Sequence, residues 1–320
     1  MTAATVPKYS YPAILKDAAR VSWQVEDLIG PHRPLDFARP FLPEALVQAQ
    51  IPGLSARESL ALNHIRSHSY LHLFGLVEEF ILPLVVDHAK TLGCDDIAAT
   101  QAYLGFAAEE SKHIRLFRQF ATAFEAGFGH RCEGIGPPQA IADFVLSHSP
   151  LGVALVTLHI EWMTQRHFLE SVRGQQDDLD PQFCRLLKHH WQEEAQHARL
   201  DALMVESMAQ SLGSDAIAAA VDDYLAIIRY LDQGLKAQVQ LDITSLERAI
   251  RRKFSITERD EIQRIQERSY QNAFLIAGMT HPSFKQSVQA LSAAGYDQIA
   301  ALGHDFLSDD NSLCSELTTQ

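Results

Sequence analysis

Apolar residues recur every three or four positions along nearly the whole chain, which is the spacing of helices with one buried face. The strict alternation that is typical of strands is almost absent. Helix-start signals also recur, with an oxygen-bearing side chain before the apolar stretch and Gly or Pro after its end. The sequence therefore predicts an all-α protein.

Four long helices are predicted between about residues 55 and 212. Ser55 and Glu58 form a capping box that starts the first helix, which we expect to run to about Gly93 with a kink at Pro83. The starts of the other three are marked by signals of the same kind: Asp95 or Asp96, Ser149-Pro150 and Asp180-Pro181. We expect these helices to end near Gly127 and Gly129, at Gly174 and at Gly213, with a short helix at about 140 to 146 between the second and the third.

The chain after this bundle is also helical in pattern. A helix is predicted from about 214 to 241, and capping boxes are predicted at Thr244 to Glu247 and at Ser255 to Glu258. His281-Pro282 precedes a last amphipathic stretch. We expect one domain over residues 1–320, a four-helix bundle with additional flanking helices. Its parts are an N-terminal arm (1–54), the core bundle (about 55–212), C-terminal helices (214–307) and a frayed tail (308–320).

The net charge of the chain limits the classes of partner that we expect. The chain has 27 Lys and Arg against 40 Asp and Glu, a formal net charge of −13. Such a surface repels phosphate backbones and anionic lipid headgroups, so we expect neither a nucleic-acid nor a membrane partner. No uninterrupted apolar run approaches the roughly 18 to 20 residues of a membrane span, and the N-terminus lacks the order of a signal peptide. A cytoplasmic protein is expected.

The cysteines indicate neither a disulfide nor a metal site, whereas the histidines indicate metal chemistry. The four cysteines show no Cys-x-x-Cys spacing, so neither a disulfide framework nor a thiolate zinc site is indicated. The fifteen histidines are more than such a chain requires, and many fall inside segments that are otherwise helical. This excess is the first indication of metal chemistry.

Carboxylates occur on the apolar faces of all four bundle helices, where an isolated charge is costly. On the second and fourth helices the glutamate is followed three residues later by a histidine, and side chains at this spacing converge on one side of a helix. In chain order the residues are Glu78 on the first helix, Glu110 and His113 on the second, Glu161 on the third, and Glu194 and His197 on the fourth.

This order of residues is the ligand set of ferritin-like di-iron and di-manganese carboxylate bundles. Four carboxylates and two imidazoles suit a pair of divalent first-row ions, because oxygens bridge the ions and offset their charge while imidazoles fix the geometry. A solvated surface would account for one such Glu-x-x-His pair. It does not account for two pairs and two further glutamates in this order.

A third histidine lies on the same face of the fourth helix. His190 precedes Glu194 by four residues and His197 by seven. The alternatives are a hydrogen-bonded core histidine and a further ligand, and the neighbouring pair favours the ligand.

Three more acids are candidates for holding the ligands in place. Glu109 and Glu193 lie four residues before the two Glu-x-x-His histidines, His113 and His197, so each is placed to bond the imidazole NH that faces away from the metal. Asp201, one turn beyond His197, is placed similarly. Exposed, solvated acids are the alternative.

Four segments of the chain resemble the 4-aminobenzoate N-oxygenase family, ferritin-like di-iron enzymes whose sites hold four glutamates and three histidines. These segments are 77–81 (VEEFI), 109–113 (EESKH), 160–161 (IE) and 189–197 (HHWQEEAQH). His190 is the specific part, because generic ferritins and ribonucleotide reductase small subunits lack a histidine at that spacing. The resemblance covers about residues 40 to 240.

By this resemblance the metal ligands are Glu78, Glu110, His113, Glu161, His190, Glu194 and His197. One departure is visible, since these enzymes often have aspartate where this chain has Glu109 and Glu193. The resemblance implies a di-iron monooxygenase of the N-oxygenase type, with two iron ions, or manganese as the alternative, and dioxygen as co-substrate. No catalytic residue is expected beyond the metal ligands.

The expected reaction is activation of dioxygen as a peroxo species, followed by oxidation of an amine nitrogen to hydroxylamine, nitroso or nitro. The partners implied are a small-molecule amine, free or bound to a carrier, an electron-donor protein or other reductant, and a second copy of the chain in a homodimer. Two alternatives stay open. The same core suits C–H hydroxylation or desaturation, and a ferritin-like iron-binding or ferroxidase protein is the other, although the long C-terminal extension disfavours it.

Overall fold

The computed structural model describes residues 9–308. Within this range the regular structure is helical, apart from one isolated bridge between Gly30 and Arg33. The prediction of an all-α protein is confirmed. The N-terminal arm contains three short helices: α1 (Tyr11–Ala18), α2 (Val25–Leu28) and α3 (Glu44–Val47).

Four long helices form the bundle, in the order that the sequence predicts. They are α4 (Ala56–Leu92), α5 (Ile97–Phe128), α7 (Pro150–Arg166) and α8 (Pro181–Gln210), with the short α6 (Pro138–Leu146) between the second and the third. α4 packs along α5 and α7 packs along α8, and the two pairs meet through α4 with α7 and α5 with α8. The inner faces of all four helices therefore surround one volume.

The predicted caps fix where these helices begin. The Ser55 hydroxyl accepts a hydrogen bond from the Glu58 backbone NH, and the Glu58 carboxylate accepts one from the Ser55 NH at 2.8 Å. Asp96, Ser149 and Asp180 each accept a backbone NH at the start of α5, α7 and α8. These bonds satisfy NH groups that the first turn of a helix leaves without a partner.

The first long helix, α4, runs through Pro83 without interruption. Among the described residues it is the one helix that is long and apolar enough to cross a membrane, judged by length and composition alone. In this fold 61% of its most apolar window is buried inside the protein. α4 is thus a core helix of the bundle.

The chain contains two segments of π-helix, which a hydrogen bond connects. The first, His167–Val172, continues α7, and the second, Gln271–Ile276, follows α10 (Ile256–Tyr270). His167 Nε2 donates to the Ala273 carbonyl at 2.8 Å, which joins the two segments. The predicted single α-helix from 150 to Gly174 therefore changes geometry after Arg166.

The remaining helices pack on the bundle from outside. They are α9 (Ser214–Ile250), α11 (Ala277–Met279), α12 (Pro282–Leu291) and α13 (Ala293–Ser308). α9 lies against α7 and α4, and α10 lies against α9.

The predicted break near residue 241 is wrong, because Thr244 does not cap a new helix. Its hydroxyl donates to the Gln240 carbonyl inside the continuous α9. The Ser255 and Glu258 capping box and the His281 start are confirmed. Of the predicted tail 308–320, all but Ser308 lies outside the described residues.

Candidate metal centre

The seven predicted ligands meet in the volume between the four bundle helices. Each of them is at most 3% exposed, although all seven side chains are polar or ionisable. They come from α4 (Glu78), α5 (Glu110 and His113), α7 (Glu161) and α8 (His190, Glu194 and His197). α4, α5 and α8 turn their apolar faces, and the acids on them, toward the interior, whereas α7 is buried on nearly all sides.

Six of these side chains form two overlapping groups of donor atoms suited to a metal ion. The first group consists of Glu78, His113, His190 and Glu194, and the second of Glu110, His113, Glu194 and His197. Within each group the atoms lie within 4.8 Å of one another. Two adjacent groups that share members are what a pair of neighbouring ions needs.

Glu194 faces both groups with different oxygens. Its Oε1 lies 2.8 Å from His190 Nε2 and 3.0 Å from His113 Nδ1. Its Oε2 lies 3.1 Å from His197 Nδ1. A carboxylate in this position is able to bridge two ions.

Glu161 lies next to the two groups but belongs to neither. It approaches Glu194 closely enough to share a hydrogen bond with it, and its Oε2 has no hydrogen-bond partner. Burial raises the pKa of Glu161 well above its usual range, and the negative charge of Glu194 raises it further. Glu161 is therefore an additional oxygen donor at the edge of the cluster.

Several donor atoms of the cluster are buried without a hydrogen-bond partner. They are Glu78 Oε2, both oxygens of Glu110, Glu161 Oε2, Glu194 Oε1 and His113 Nδ1. Imidazole nitrogens do lie near two of these oxygens, but the pairs are not aligned as hydrogen bonds. Glu194 Oε1 is 3.0 Å from His113 Nδ1 and 2.8 Å from His190 Nε2, and Glu110 Oε1 is 2.9 Å from His197 Nδ1. Buried polar atoms without partners are rare and costly. A cation in each group would supply the missing partners, so the side chains fit a dinuclear metal site.

The charges of the cluster are mutually dependent. Burial raises the pKa of Glu78 and of Glu110, and the charge of Glu194 raises both further. The pKa of Glu194 itself is lowered in spite of its burial, because His190 and His197 lie beside it. Metal ligands bind in their deprotonated forms, so a metal competes here with protons that burial holds in place.

Two glutamates fix the orientation of two of the histidines. Glu193 on α8 accepts from His113 Nε2 on α5 at 2.7 Å, and Glu109 on α5 accepts from His197 Nε2 on α8 at 2.8 Å. A carboxylate only accepts, so Nε2 of each ring carries a proton, and Nδ1, the nitrogen left to bind an ion, faces the cluster. Lys112 bonds the second carboxylate oxygen of Glu193.

These bonds run between the helices, whereas the sequence analysis expected each glutamate to bond the histidine of its own helix. The spacing of four residues is compatible with both arrangements. The packing of α5 against α8 decides between them, because the outer nitrogen of each ring points across to the other helix.

Asp201 does not take the place that its spacing predicted. The outer nitrogen of His197 is already bonded to Glu109, and Asp201 makes no hydrogen bond to that ring. Asp201 is fully buried, and this burial raises its pKa well above the usual range.

Aromatic rings cover the histidines in a way that the sequence analysis missed. Trp23, from the N-terminal arm, stacks on the His113 ring at a centroid distance of 5.8 Å, and Lys112 Nζ lies 3.9 Å from the Trp23 ring centroid. Phe106 stacks on His197 at 3.9 Å. Phe106 lies one turn of α5 before Glu110, so its position beside the cluster follows from helical spacing. No local sequence pattern links residue 23 to residue 113.

Comparisons with known proteins give a distant likeness. No family model matches the sequence, and no curated protein matches it. Among solved structures, the chain is similar to an R2-like ligand-binding oxidase with an aerobically reconstituted Mn/Fe cofactor, at 11% identity and a TM-score of 0.41, covering 82% of this chain and 93% of that one. It is also similar to a mutant R2-like ligand-binding oxidase with an aerobically reconstituted Fe/Fe cofactor, at 12% identity and a TM-score of 0.40, covering 91% and 93%.

Proposed function

We propose that the protein is a dinuclear non-haem iron oxygenase that oxidises the amine nitrogen of a small molecule. The observation that carries the proposal is the pair of donor groups around Glu194, with one oxygen of that carboxylate in each group. The unpartnered donor atoms of the same cluster support it.

Each group would hold one ion. His113 belongs to both groups but offers a single nitrogen, Nδ1, so it would hold one of the two ions, while Glu194 has one oxygen facing each group and would help to hold both. Mixed carboxylate and imidazole ligands suit iron, with manganese as the alternative. The ions would supply the redox chemistry that lets dioxygen react with an organic molecule.

The protein's own residues prepare the site in two ways. Glu109 and Glu193 hold the rings of His197 and His113 with Nδ1 toward the cluster, so the rings need little reorientation when an ion replaces the proton. The burial of all seven side chains excludes bulk water, which protects an oxidising site from side reactions.

The choice of an amine as substrate rests on His190. This third imidazole lies 3.2 Å from Glu78 Oε1 as well as beside Glu194, and it is the feature that the resemblance to N-oxygenases depends on. The proposal includes an external electron donor, because a monooxygenase reduces the second oxygen atom of dioxygen to water.

Metal content is the first test. Full-length protein is incubated with Fe(II) without oxygen, desalted and assayed for iron. We expect about two irons per chain, the value implied by two donor groups. Glu194→Ala should lose most of this iron, whereas the matched control Glu206→Ala, an exposed glutamate on the same helix, should keep it.

The reaction is tested next with isotopically labelled dioxygen, a chemical reductant and a panel of amines. Labelled oxygen on nitrogen in the product supports the proposal. Labelled oxygen on carbon, or a new double bond, would replace it with hydroxylation or desaturation. Iron that accumulates far beyond two per chain would replace it with iron handling.

A further inference from the structure

A cavity of about 330 Å³ lies between α4, α7, α9 and the chain that leads into α6. Its volume is near the lower end of the range for small-molecule sites, roughly 300 to 1,000 Å³. No side chain in its lining is charged, and the polar groups are confined to Tyr230 and Gln233 on α9. The remaining lining consists of aliphatic and aromatic residues, together with glycine.

The inner end of this cavity adjoins the metal centre. The Phe74 ring lines the cavity, and it also lies edge-on to the His190 ring at a centroid distance of 5.4 Å. Val77 and Ile160 line the same cavity, directly before Glu78 and Glu161 in sequence. Phe74 therefore forms a partition of one ring between the cavity and a predicted ligand.

The outer end is bordered by one face of α9. Tyr230, Gln233 and Ala237 follow one another at helical spacing, and the last two are exposed. Gly234 lies among them, and a Cβ there would approach Ile135 Cδ1 to 3.2 Å. The absence of a side chain at this position keeps the opening between α9 and residue 135.

The residues that line the cavity offer no counter-ion to an acidic ligand. Lys236 is near the opening in sequence, but its Nζ bonds Asp232 at 2.7 Å and it is not part of the lining. A carboxylate that enters an apolar cavity without a partner loses its hydration and gains nothing in return.

We propose that this cavity is the substrate site and that it selects an uncharged, largely apolar amine. The apolar body of the molecule fills the space below α9, and the nitrogen faces the Phe74 end, next to the donor cluster. The identity of the reacting group rests on the proposed function, but the preference for neutral over anionic molecules rests on the lining alone.

The charge preference is tested with two molecules of nearly the same shape, neutral 4-nitroaniline and anionic 4-aminobenzoate. Their affinities for the purified full-length protein are measured by equilibrium dialysis without oxygen, so that no turnover is needed. We expect 4-nitroaniline to bind about tenfold more tightly or better. Equal affinity, or tighter binding of 4-aminobenzoate, would overturn the preference.

The location of the binding site is tested by a substitution that fills the opening of the cavity. Ala237→Trp should reduce 4-nitroaniline binding at least about tenfold by filling the outer end of the cavity. The matched control is Ala226→Trp, an exposed alanine of the same helix outside the lining, which should bind as the unmodified protein does. Circular dichroism checks that both variants fold.

The outcomes separate this proposal from the function. Loss of binding in Ala237→Trp alone supports the cavity, whether or not an amine is oxygenated. Unchanged binding in Ala237→Trp, or no binding of either probe to the unmodified protein, would overturn the cavity as the substrate site, and the oxygenation assay would still decide the reaction.

Discussion

Acid should weaken the junction of the two π-helical segments through His167. This side chain is 3% exposed, its Nε2 donates to the Ala273 carbonyl at 2.8 Å, and its Nδ1 accepts from the Tyr70 hydroxyl at 2.8 Å. Burial lowers the pKa of His167 from its ordinary 6.5 to about 4. The folded protein therefore keeps this ring neutral.

The sign and size of the effect follow from proton linkage. The unfolded chain takes up the proton first, at a pKa of 6.5, so stability falls as the pH drops from about 6.5 to about 4 and does not fall further below that range. Between pH 7 and pH 4.5 this one group should lower the free energy of unfolding by roughly 2 kcal/mol.

Urea unfolding at a series of pH values measures the contribution of His167 to the free energy of unfolding. His167→Gln removes the titration while its amide nitrogen still reaches toward the Ala273 carbonyl, so the loss of stability between pH 7 and pH 4.5 should be smaller by roughly 2 kcal/mol. The control is His304→Gln, an exposed histidine on α13, which should keep the wild-type slope. If the His167→Gln slope equals that of the wild type, the reasoning is refuted.

Three further substitutions test other parts of the structure. Asp242 is 1% exposed and lies 4.0 Å from the Arg66 guanidinium, so Arg66→Ala leaves a buried carboxylate without its cation. The free energy of unfolding, measured in urea, should fall by about 3–5 kcal/mol. A loss below about 1 kcal/mol would contradict this prediction. Gly278→Ala places a Cβ against the His159 ring, too close for normal packing, and should destabilise the protein by about 1–3 kcal/mol, seen as a lower Tm. An unchanged Tm would mean that the ring moves freely. Glu193→Gln should weaken iron binding about 10–100-fold in a chelator competition, and an unchanged affinity would show that the hydrogen bond to the imidazole contributes nothing.

The sequence was sufficient to predict the features that depend on short spacings. The caps at Ser55, Asp96, Ser149 and Asp180 needed three-residue patterns, and the structure has all four. The order of acids and histidines along the bundle needed only the helical period, which places them on inward faces. Ligation of metal by these residues stays a prediction until iron is measured.

Features that depend on the packing of distant elements could not be predicted in this way. The continuity of α9 past Thr244 is an example. A threonine at the position expected for a helix cap also fits inside a continuous helix, where its hydroxyl bonds the Gln240 carbonyl. The stacking of Trp23 on His113 joins residues 90 positions apart, and no local pattern encodes it. Likewise the partners of Glu109 and Glu193 depend on how α5 faces α8.

The crossed hydrogen bonds between α5 and α8 limit how this protein can be rebuilt or diversify. Glu109 belongs to α5 but orients a histidine of α8, and Glu193 belongs to α8 but orients a histidine of α5. Neither helix is a self-sufficient module, since each carries the support for a ring on the other. In a chimaera that takes only one of these helices from a relative, the glutamate and the histidine of each hydrogen bond come from different proteins. We therefore expect α5 and α8 to be exchangeable only together.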